Sequence, residues 1–287
     1  MNPFFEKLLL SEDEPQKIKL LYKRLEESDP VIPRILDKLS ETQAGYLYKI
    51  ITSSHFLFEE LTQHPEWLKE DIFNEEDLLS PMAVSALRHE LSELMVEEIA
   101  NRDFEATGRL LREFKLKHIF RIAVRDLNKL CSTEQIILEL SNLADLCLQS
   151  VFRLSWLQLT EKIGVPYYKD GDGNWVRSDF SIIGLGKLGG QELNYSSDVD
   201  VIFVYSEEGF VFKETPEPGD IPGSHALNNH QFFTRLAESI ISEVSKSTRE
   251  GWLYRIDLRL RPEGNGGPLV RSLESYENYY AQWGRTW

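Results

Sequence analysis

Basic residues are in short supply in this sequence of 287 residues: 32 Lys and Arg stand against 47 Asp and Glu. The net charge is therefore −15 and the isoelectric point is about 4.9. A protein that binds DNA or RNA needs a dense basic surface to displace the counterions of the phosphates. The acidic balance argues against nucleic acid as a substrate, and it also argues against docking on anionic membranes.

Long apolar runs and cysteines are also scarce. No run of about 18 apolar residues is present, so we expect no transmembrane helix. The first ten residues lack the basic start and the cleavage site of a signal peptide. The only cysteines, Cys131 and Cys147, lie in helical patterns, which favours free thiols in a reducing compartment. These absences predict a cytoplasmic protein, and its 41% hydrophobic residues are enough for a sizeable core.

Glycine is nearly absent from the first 165 residues. The exceptions are Gly45, Gly108 and Gly164. Ser80 followed by Pro81 is typical of a helix start. Ser132 to Gln135 has the form of a capping box, and the apolar stripe behind it predicts a helix of about thirty residues. We therefore predict a helical region over residues 1–165.

The character of the sequence changes after Pro166, where turn and strand patterns begin. The predicted elements are a turn at 170–174, strands at 180–184 and 199–205, a mobile loop at 206–229, a helix at 230–248 and a strand at 252–261. The strand at 199–205 is almost wholly apolar, which is typical of burial on both faces. We predict the α+β class, with a helical N-terminal part and a mixed sheet flanked by helices over residues 166–287.

Two carboxylates stand at the start of the apolar strand. Side chains alternate along a strand, so Asp198 and Asp200 project to the same side. Like charges this close repel unless a cation lies between them, and Mg²⁺ or Mn²⁺ prefers such oxygen ligands. An isolated Asp-x-Asp is more often a pair of solvated acids, so the assignment depends on the neighbouring motifs.

A glycine-rich stretch, the glycine turn (residues 184–190), precedes these acids. Glycines allow close approach of a phosphate, and free N–H groups can bind anions. The stretch is not a Walker A loop, because no Gly-Lys-Ser/Thr ends it. It matches the letters of the dinucleotide fingerprint, but two acids follow too soon and at the start of a strand. A tight structural turn is the alternative interpretation.

The segment from Arg255 to Arg261 alternates charged and apolar residues. As a strand it would place Arg255, Asp257, Arg259 and Arg261 on one face, which cannot enter a core without partners. Such a face suits a cleft that holds a metal ion and phosphates. Asp257 would complete the metal site, and Arg259 and Arg261 would pair with phosphate oxygens. An exposed face with salt bridges is the alternative.

Together these elements resemble the polymerase-β-like nucleotidyltransferases, in which a glycine-led turn precedes an Asp-x-Asp pair and a third acid lies on a neighbouring strand. The stretch GKLGGQELNYSSDVDVIF (186–203) is similar to the signature of the bifunctional glutamine synthetase adenylyltransferase/adenylyl-removing enzymes. The stretch DLRLRP (257–262), with the glycines that follow it, resembles their second motif. The helical stretches 121–127 and 140–145 are also similar, so the resemblance covers roughly residues 55–287.

That family has two related nucleotidyltransferase domains, one that removes AMP from glutamine synthetase and one that adds it. The initial Met with its helical lead-in, Asn194 and the stretch 231–235 resemble the N-terminal, adenylyl-removing copy. The chain ends at Trp287, inside a sequence that continues in the family. We therefore expect a truncated catalytic region and a fragment of a longer protein.

The resemblance implies phosphorolysis: inorganic phosphate attacks adenylyl-tyrosine and releases ADP. It implies Asp198 and Asp200 as metal ligands, with Asp257 as a ligand or as an orienting residue. The residues expected to line the phosphates are Gly186, Lys187, Gly189, Gly190 and Ser197, with Arg259 and Arg261 neutralising charge. The implied partners are glutamine synthetase, a nucleotide, inorganic phosphate and, through the full-length enzyme, the PII signalling protein. ATP-dependent adenylyl transfer and a non-catalytic regulatory module stay open as alternatives.

Overall fold

The structure, a computed structural model, describes residues 1–10 and 15–284. Its chain forms two compact units, Met1–His89 with Phe114–Leu140 and Glu90–Glu113 with Ser141–Trp287. Trp287 itself lies outside the described residues. Helices and sheets are combined as the α+β prediction requires. The domain boundary placed between residues 165 and 166 stays a prediction, based on where strand patterns begin.

Up to residue 163, helices are the only regular structure in the described part of the chain, as the scarcity of glycine predicts. The helices are α1 (Pro3–Leu9), α2 (Pro15–Glu26), α3 (Ile32–Leu36), α4 (Glu41–Ser53), α5 (His55–Gln63), α6 (Glu66–Lys69), α7 (Glu75–Leu79), α8 (Val84–Ala100), α9 (Phe104–Leu127) and α10 (Thr133–Ile163). None of the helices within residues 1–10 and 15–284 is long and apolar enough to cross a bilayer.

The two predicted helix starts have different outcomes. The capping box is confirmed: the Ser132 N–H donates to Gln135 Oε1 at 3.2 Å and the Gln135 N–H donates to Ser132 Oγ at 3.4 Å. The helix that follows, α10, has 31 residues. The start at Ser80 is wrong, since α8 begins at Val84. An N-cap carbonyl should accept the first intrahelical bond, but the Ser80 carbonyl accepts from Arg121 Nη2 at 2.7 Å.

The first unit is built on an apolar core that includes Phe5, Tyr22, Leu47, Phe58 and Phe120. Each of these side chains is at most 1% exposed, so each removes a large apolar area from water. Local capping supports this packing, as in α4, where Ser40 and Gln43 form a capping box. The short helices of this region are therefore stabilised mainly by tertiary contacts rather than by their own length.

The same unit also buries charge, in a group we call the arginine cluster (Arg121, Arg125 and Glu139). The Arg125 side chain is 0% exposed, and those of Arg121 and Glu139 are 8% exposed. Both guanidinium groups contact the Glu139 carboxylate. Carbonyls at the end of α7 add further acceptors: the Leu78 carbonyl accepts from Arg125 Nε at 2.8 Å, and the Asp77 carbonyl accepts from Arg121. These contacts compensate in part for removing the ions from water, while Arg121 Nε and Arg125 Nη2 are left without an acceptor among the residues that the structure describes.

The second unit contains two sheets. Its strands are β1 (Val165–Lys169), β2 (Trp175–Arg177), β3 (Phe180–Gly184), β4 (Val199–Tyr205), β5 (Phe210–Phe212), β6 (Ile256–Asp257) and β7 (Val270–Ser272). One sheet is antiparallel, with the order β2-β1-β5. In the other, β4 is central: β3 pairs with it antiparallel, while β6 and β7 pair with it parallel along its first and last residues. The predicted mixed sheet is therefore present.

Three further helices belong to this unit: α11 (Gly186–Gly189), α12 (Asn229–Ser245) and α13 (Leu273–Trp283). Helix α12 covers the mixed sheet with an aromatic stack. The Phe233 ring lies 5.5 Å from Phe180 on β3 and 4.8 Å from Tyr205 on β4, measured between ring centroids. This packing covers one face of β4, and Tyr276 of α13 packs with Ile202 and Val204 on the other. The strand that carries Asp200 is therefore buried almost throughout, as its apolar sequence predicts.

Two predictions for this part of the chain need correction. The predicted loop at 206–229 contains β5, because Phe212 pairs with Val165 of β1 and finds backbone partners there. The predicted strand at 252–261 shrinks to the two residues of β6. Asp257 Oδ1 accepts a hydrogen bond from the Arg259 N–H at 2.8 Å, which bends the chain into a turn immediately after the strand.

Candidate active site

Strand pairing brings the three acids (Asp198, Asp200 and Asp257) together. In the parallel pair β4–β6, Asp200 lies directly opposite Asp257. Neighbouring strands are about 4.8 Å apart, so the two side chains share one face at close range. Asp198 stands two residues before Asp200, where alternation favours the same face. The sequence predicted this grouping, and pairing between strands more than fifty residues apart produces it.

The electrostatics of the acids are unequal. Partial desolvation raises the pKa of Asp200, and the negative charges of Asp257 and Asp198 raise it further, against the opposing charge of Arg259. The pKa of Asp257 is lowered, chiefly by side-chain hydrogen bonds from Arg259 and also by the Arg259 backbone N–H. Asp200 is therefore the carboxylate whose negative charge is least compensated, and a cation beside it would relieve that charge.

Two arginines contact the outer acids. Arg255 Nε lies 2.7 Å from Asp198 Oδ1. Arg259 Nε donates to Asp257 Oδ2 at 2.8 Å and to Oδ1 at 3.0 Å, and its Nη2 also contacts Oδ2. Both arginine side chains are mostly exposed, at 63% and 73%. Both ion pairs are accordingly solvated and able to rearrange.

The three acids have the carboxylate ligands that a hard divalent cation prefers, although their side chains are not arranged in a complete coordination geometry. Across residues 1–10 and 15–284, no three His, Cys, Asp or Glu side chains are grouped as a ready metal site. Yet Asp198 Oδ1 is a buried oxygen that accepts no well-directed hydrogen bond, despite its nearness to Arg255. Carboxylate oxygens are the ligands that Mg²⁺ and Mn²⁺ prefer. The incompletely compensated Asp200, beside an Asp198 whose only ion-pair partner in the described part of the chain is a mostly exposed arginine, is consistent with such an ion.

The glycine turn lies against Asp200. The Leu185 N–H donates to the Asp200 carbonyl at 2.8 Å. Gly186 has a φ of +52°, and a Cβ placed there would lie 2.7 Å from Asp200 Oδ2. Only glycine combines this backbone conformation with such a close approach of the carboxylate. At Gly189 a Cβ would lie 2.6 Å from the Gly184 carbonyl oxygen, so this position also excludes side chains.

The turn continues as the single helical turn α11, whose length departs from the full helix of a dinucleotide-binding motif. The first N–H groups of any helix have no intrahelical partner. Gly190 has an ordinary φ of −80° and no close obstacle to a Cβ, so the structure gives no steric reason for glycine there. Lys187 is exposed on the turn.

Ser197 and Arg261 are engaged within their own loops. Ser197 Oγ accepts from the Asn194 N–H at 3.2 Å. Arg261 Nη1 donates to the Leu258 carbonyl at 2.8 Å and Nη2 donates to the Gly267 carbonyl at 3.5 Å. The turn that ends β6 carries Arg261 away from the expected shared face. Arg259 is thus the arginine of the predicted pair that contacts an acid.

Sequence reasoning missed three residues around the site. Arg255 was placed on the face of Asp257 but without a role, and its contact is to Asp198. Asp145 Oδ2 on α10 accepts from Gln191 Nε2 at 3.0 Å, directly after the glycine turn. Ser141, one helical turn earlier, accepts from the Leu193 N–H at 3.0 Å. The available signal was a pair of polar residues at i and i+4 within the stretch 140–145 of α10, which resembles the family.

Comparison with known proteins gives consistent results. The family model for glutamate-ammonia ligase adenylyltransferase matches residues 44–287. A protein of Shewanella woodyi is 36% identical over 259 residues, which is 90% of this chain and 25% of the relative. A protein of Nitrosococcus oceani is 39% identical over 179 residues, 62% of this chain and 17% of the relative.

Both relatives carry the name bifunctional glutamine synthetase adenylyltransferase/adenylyl-removing enzyme. The chain spans about a quarter of the length of the Shewanella relative. The family match includes the glycine turn, the three acids and the arginines around them. By this match, which covers most of its residues, the chain belongs to the glutamate-ammonia ligase adenylyltransferase family.

Proposed function

We propose that this chain removes AMP from adenylylated glutamine synthetase by metal-dependent phosphorolysis. The observation that carries the proposal is the pairing of Asp200 with Asp257 across β4 and β6, beside Asp198 and the glycine turn. Three aspartates clustered beside a glycine-rich turn suit phosphoryl transfer, because that reaction depends on positioning and on neutralising phosphate charge. The family match supplies the protein substrate, because its relatives are named for their action on glutamine synthetase.

Asp198, Asp200 and Asp257 would hold Mg²⁺ or Mn²⁺, which supplies positive charge to the phosphate oxygens when bound. In the reaction, an oxygen of inorganic phosphate forms a bond to the AMP phosphorus, and the bond from that phosphorus to the tyrosine oxygen breaks. ADP and a free tyrosine hydroxyl are the products. Positioning and charge neutralisation are the main demands on the protein.

The chain's own residues meet these demands in different ways. Gly186 and Gly189 allow the glycine turn to pack directly against Asp200 and the Gly184 carbonyl, which would keep its backbone close to a phosphate bound at the acids. Lys187 is exposed on the same turn and can reach a phosphate oxygen as a mobile point charge. Arg259 is mostly exposed, so it can exchange its ion pair with Asp257 for one with a phosphate oxygen at little cost in free energy. Arg261 would first have to leave its carbonyl partners, so its predicted phosphate role is secondary.

The test uses adenylylated glutamine synthetase, this chain, Mg²⁺ and inorganic phosphate, with ADP release as the readout. We expect phosphate-dependent ADP from the native chain and none from Asp198→Asn. If ATP-driven AMP transfer onto glutamine synthetase occurred instead, the adding activity would replace the proposed one. A folded chain that binds nucleotide and metal but shows neither activity would mean that this chain does not act alone and requires a regulator or further segments such as its longer relatives carry.

Two further expectations accompany this proposal. We propose that the chain works in the cytoplasm, where glutamine synthetase and free phosphate are both available to it. We also propose that the PII signalling protein acts through the full-length enzyme. Adding PII to this chain alone is expected to leave ADP release unchanged.

A further inference from the structure

Helix α10 presents two polar side chains, one turn apart, to the exit segment (residues 191–193) that follows the glycine turn. Ser141 is fully buried and accepts the Leu193 N–H at 3.0 Å. Asp145 is exposed and accepts from Gln191 Nε2 at 3.0 Å. Residues at i and i+4 lie on one face of a helix, so the two contacts act on the same stretch of chain.

The exit segment is held in an unfavourable backbone conformation. Gln191 has a φ of +56°, a region that residues with a side chain rarely occupy. Its N–H and its Nε2 both donate to the Leu188 carbonyl, at 3.1 Å and 3.2 Å. The Glu192 N–H donates to the Lys187 carbonyl at 2.7 Å. Such a conformation persists only where its surroundings determine it.

The exit segment connects the contacts on α10 to the acids. The exit segment joins the glycine turn to the loop that ends at Asp198. Its far end is fixed by Leu193, which is 1% exposed. The glycine turn in turn lies against Asp200, since a Cβ on Gly186 would touch that carboxylate. A change in the exit segment would therefore move the turn relative to the carboxylate.

The Asp145 contact joins a carboxylate on helix α10 to the exit segment by one hydrogen bond. Desolvation raises the pKa of Asp145 and the hydrogen bond from Gln191 lowers it, so this bond supports a carboxylate that has lost part of its water. The same hydrogen bond does fix the direction of the Gln191 side chain, and so the rotation of the exit segment. Its location, between a rigid helix and a turn made of glycines, is where such a constraint has most effect.

We propose that Asp145 and Ser141 are positioning residues that set the glycine turn against Asp200. Asp145 acts through the Gln191 side chain and Ser141 acts through the Leu193 backbone. This inference rests on the proposed function, since the geometry it sets is that of phosphate binding. Neither residue touches the reacting atoms.

The test is a double-mutant cycle on the full chain. Asp145→Ala removes the acceptor, and Gln191→Gly removes the donor while keeping a residue that tolerates a positive φ. Asp145→Asn restores an acceptor oxygen and serves as the conservative rescue. Glu192→Ala is the matched control, because Glu192 is exposed and lies next to Gln191. Thermal unfolding of each variant shows that the fold is kept.

Two readouts are needed: hydrogen–deuterium exchange over residues 184–193, and kcat for ADP release. We expect exchange about tenfold faster and kcat about tenfold lower in each single variant, the scale of a hydrogen bond to a charged group. The double variant should be no worse than either single one, since both remove the same contact. Asp145→Asn should recover most of the loss, and Glu192→Ala should match the native chain.

Unchanged exchange in Asp145→Ala and Gln191→Gly, or effects that add in the double variant, would overturn the inference. If the native chain releases no ADP, the proposed function fails, and exchange alone still decides whether α10 holds the turn. The two failures are thus distinguishable.

Discussion

Two groups of charged side chains, one in each unit, show opposite ways of arranging ions. The arginine cluster of the first unit is almost fully buried and has two cations to one carboxylate. The three acids of the second unit are partly exposed, and the arginines beside them are mostly exposed. In the first group backbone carbonyls fix each guanidinium, whereas in the second the ion pairs can rearrange in water.

The difference shows why charge alone does not mark a functional site. A buried ion pair must be held rigidly, because any unmatched charge is costly there. A site for phosphoryl transfer must instead release its partners when substrate arrives. The raised pKa of Asp200 marks a carboxylate whose charge the protein does not fully compensate, and Asp198 is paired with a mostly exposed arginine that water can replace. The two groups therefore differ in the burial and mobility of the ion pairs rather than in charge balance, and this difference can be tested by neutralising one charge at a time.

The largest expected effect is on activity. Asp200→Asn keeps the shape of the side chain but removes the charge, so phosphate-dependent ADP release should fall about a thousandfold. The free energy of unfolding in urea should change by less than about 1 kcal/mol, since no fully compensated charge is lost. Asp172→Asn, in the exposed turn before β2, is the control and should be fully active. A near-native rate for Asp200→Asn would remove the acids from the mechanism.

The arginine cluster should give the reverse result. Glu139→Gln leaves two buried guanidinium groups without their carboxylate, which should cost the first unit about 3 kcal/mol in free energy of unfolding. Glu27→Gln breaks an exposed pair with Lys23 and should cost less than about 0.5 kcal/mol. Urea unfolding followed by circular dichroism measures both. Equal losses in free energy of unfolding for the two variants would mean that the buried arginine cluster contributes no more to stability than an exposed ion pair.

A smaller effect separates backbone strain from contact with the acids. Gly186 and Gly173 both have positive φ, at +52° and +86°, so an alanine at either should destabilise the chain by about 1 kcal/mol. Only at Gly186 does the new Cβ meet Asp200 Oδ2, whereas Gly173 faces open space. We expect Gly186→Ala to lower ADP release about a hundredfold and Gly173→Ala to leave it unchanged. Equal activities would show that the glycine turn does not set the position of Asp200.

Features of this structure that depend on residues close together in the chain were predicted well from sequence, and features that depend on distant residues were predicted less well. Local signals succeeded: the capping box at Ser132, the buried strand at 199–205 and the α+β class are all present. The grouping of Asp200 with Asp257 was also predicted, because the resemblance to the polymerase-β-like nucleotidyltransferases implies a third acid on a strand beside the Asp-x-Asp pair. The Ser80 start failed since its carbonyl is taken by Arg121, more than forty residues away in the chain.

Around the site, the errors have one physical origin. Alternation from 252 to 261 predicted a strand, but the Asp257 side chain accepts from the backbone two residues later and ends it. Arg261 consequently turns to loop carbonyls rather than to the acids. The contact of Asp145 with Gln191 could not be inferred either, because it depends on which face of α10 meets the exit segment. Side-chain competition for the backbone and helix docking are both tertiary effects.

The smallest effect tests the two paired acids against each other through pH. The pKa of Asp200 is raised, so its folded form resists ionisation and the native chain loses stability as pH rises from the ordinary carboxyl range through the raised pKa. Asp200→Asn removes this loss and should be the more stable chain above that window, by less than about 1 kcal/mol because the group is partly solvated.

The pKa of Asp257 is lowered, so its contribution to stability is present above the ordinary carboxyl range and is lost as pH falls through the lowered pKa. Asp257→Asn should therefore be less stable than the native chain near neutral pH and equal to it in strong acid. Urea unfolding of both variants from pH about 3 to about 7, without divalent cations, measures the two slopes. Slopes of the same sign would mean that Arg259 does not divide the acids into a compensated and an uncompensated one.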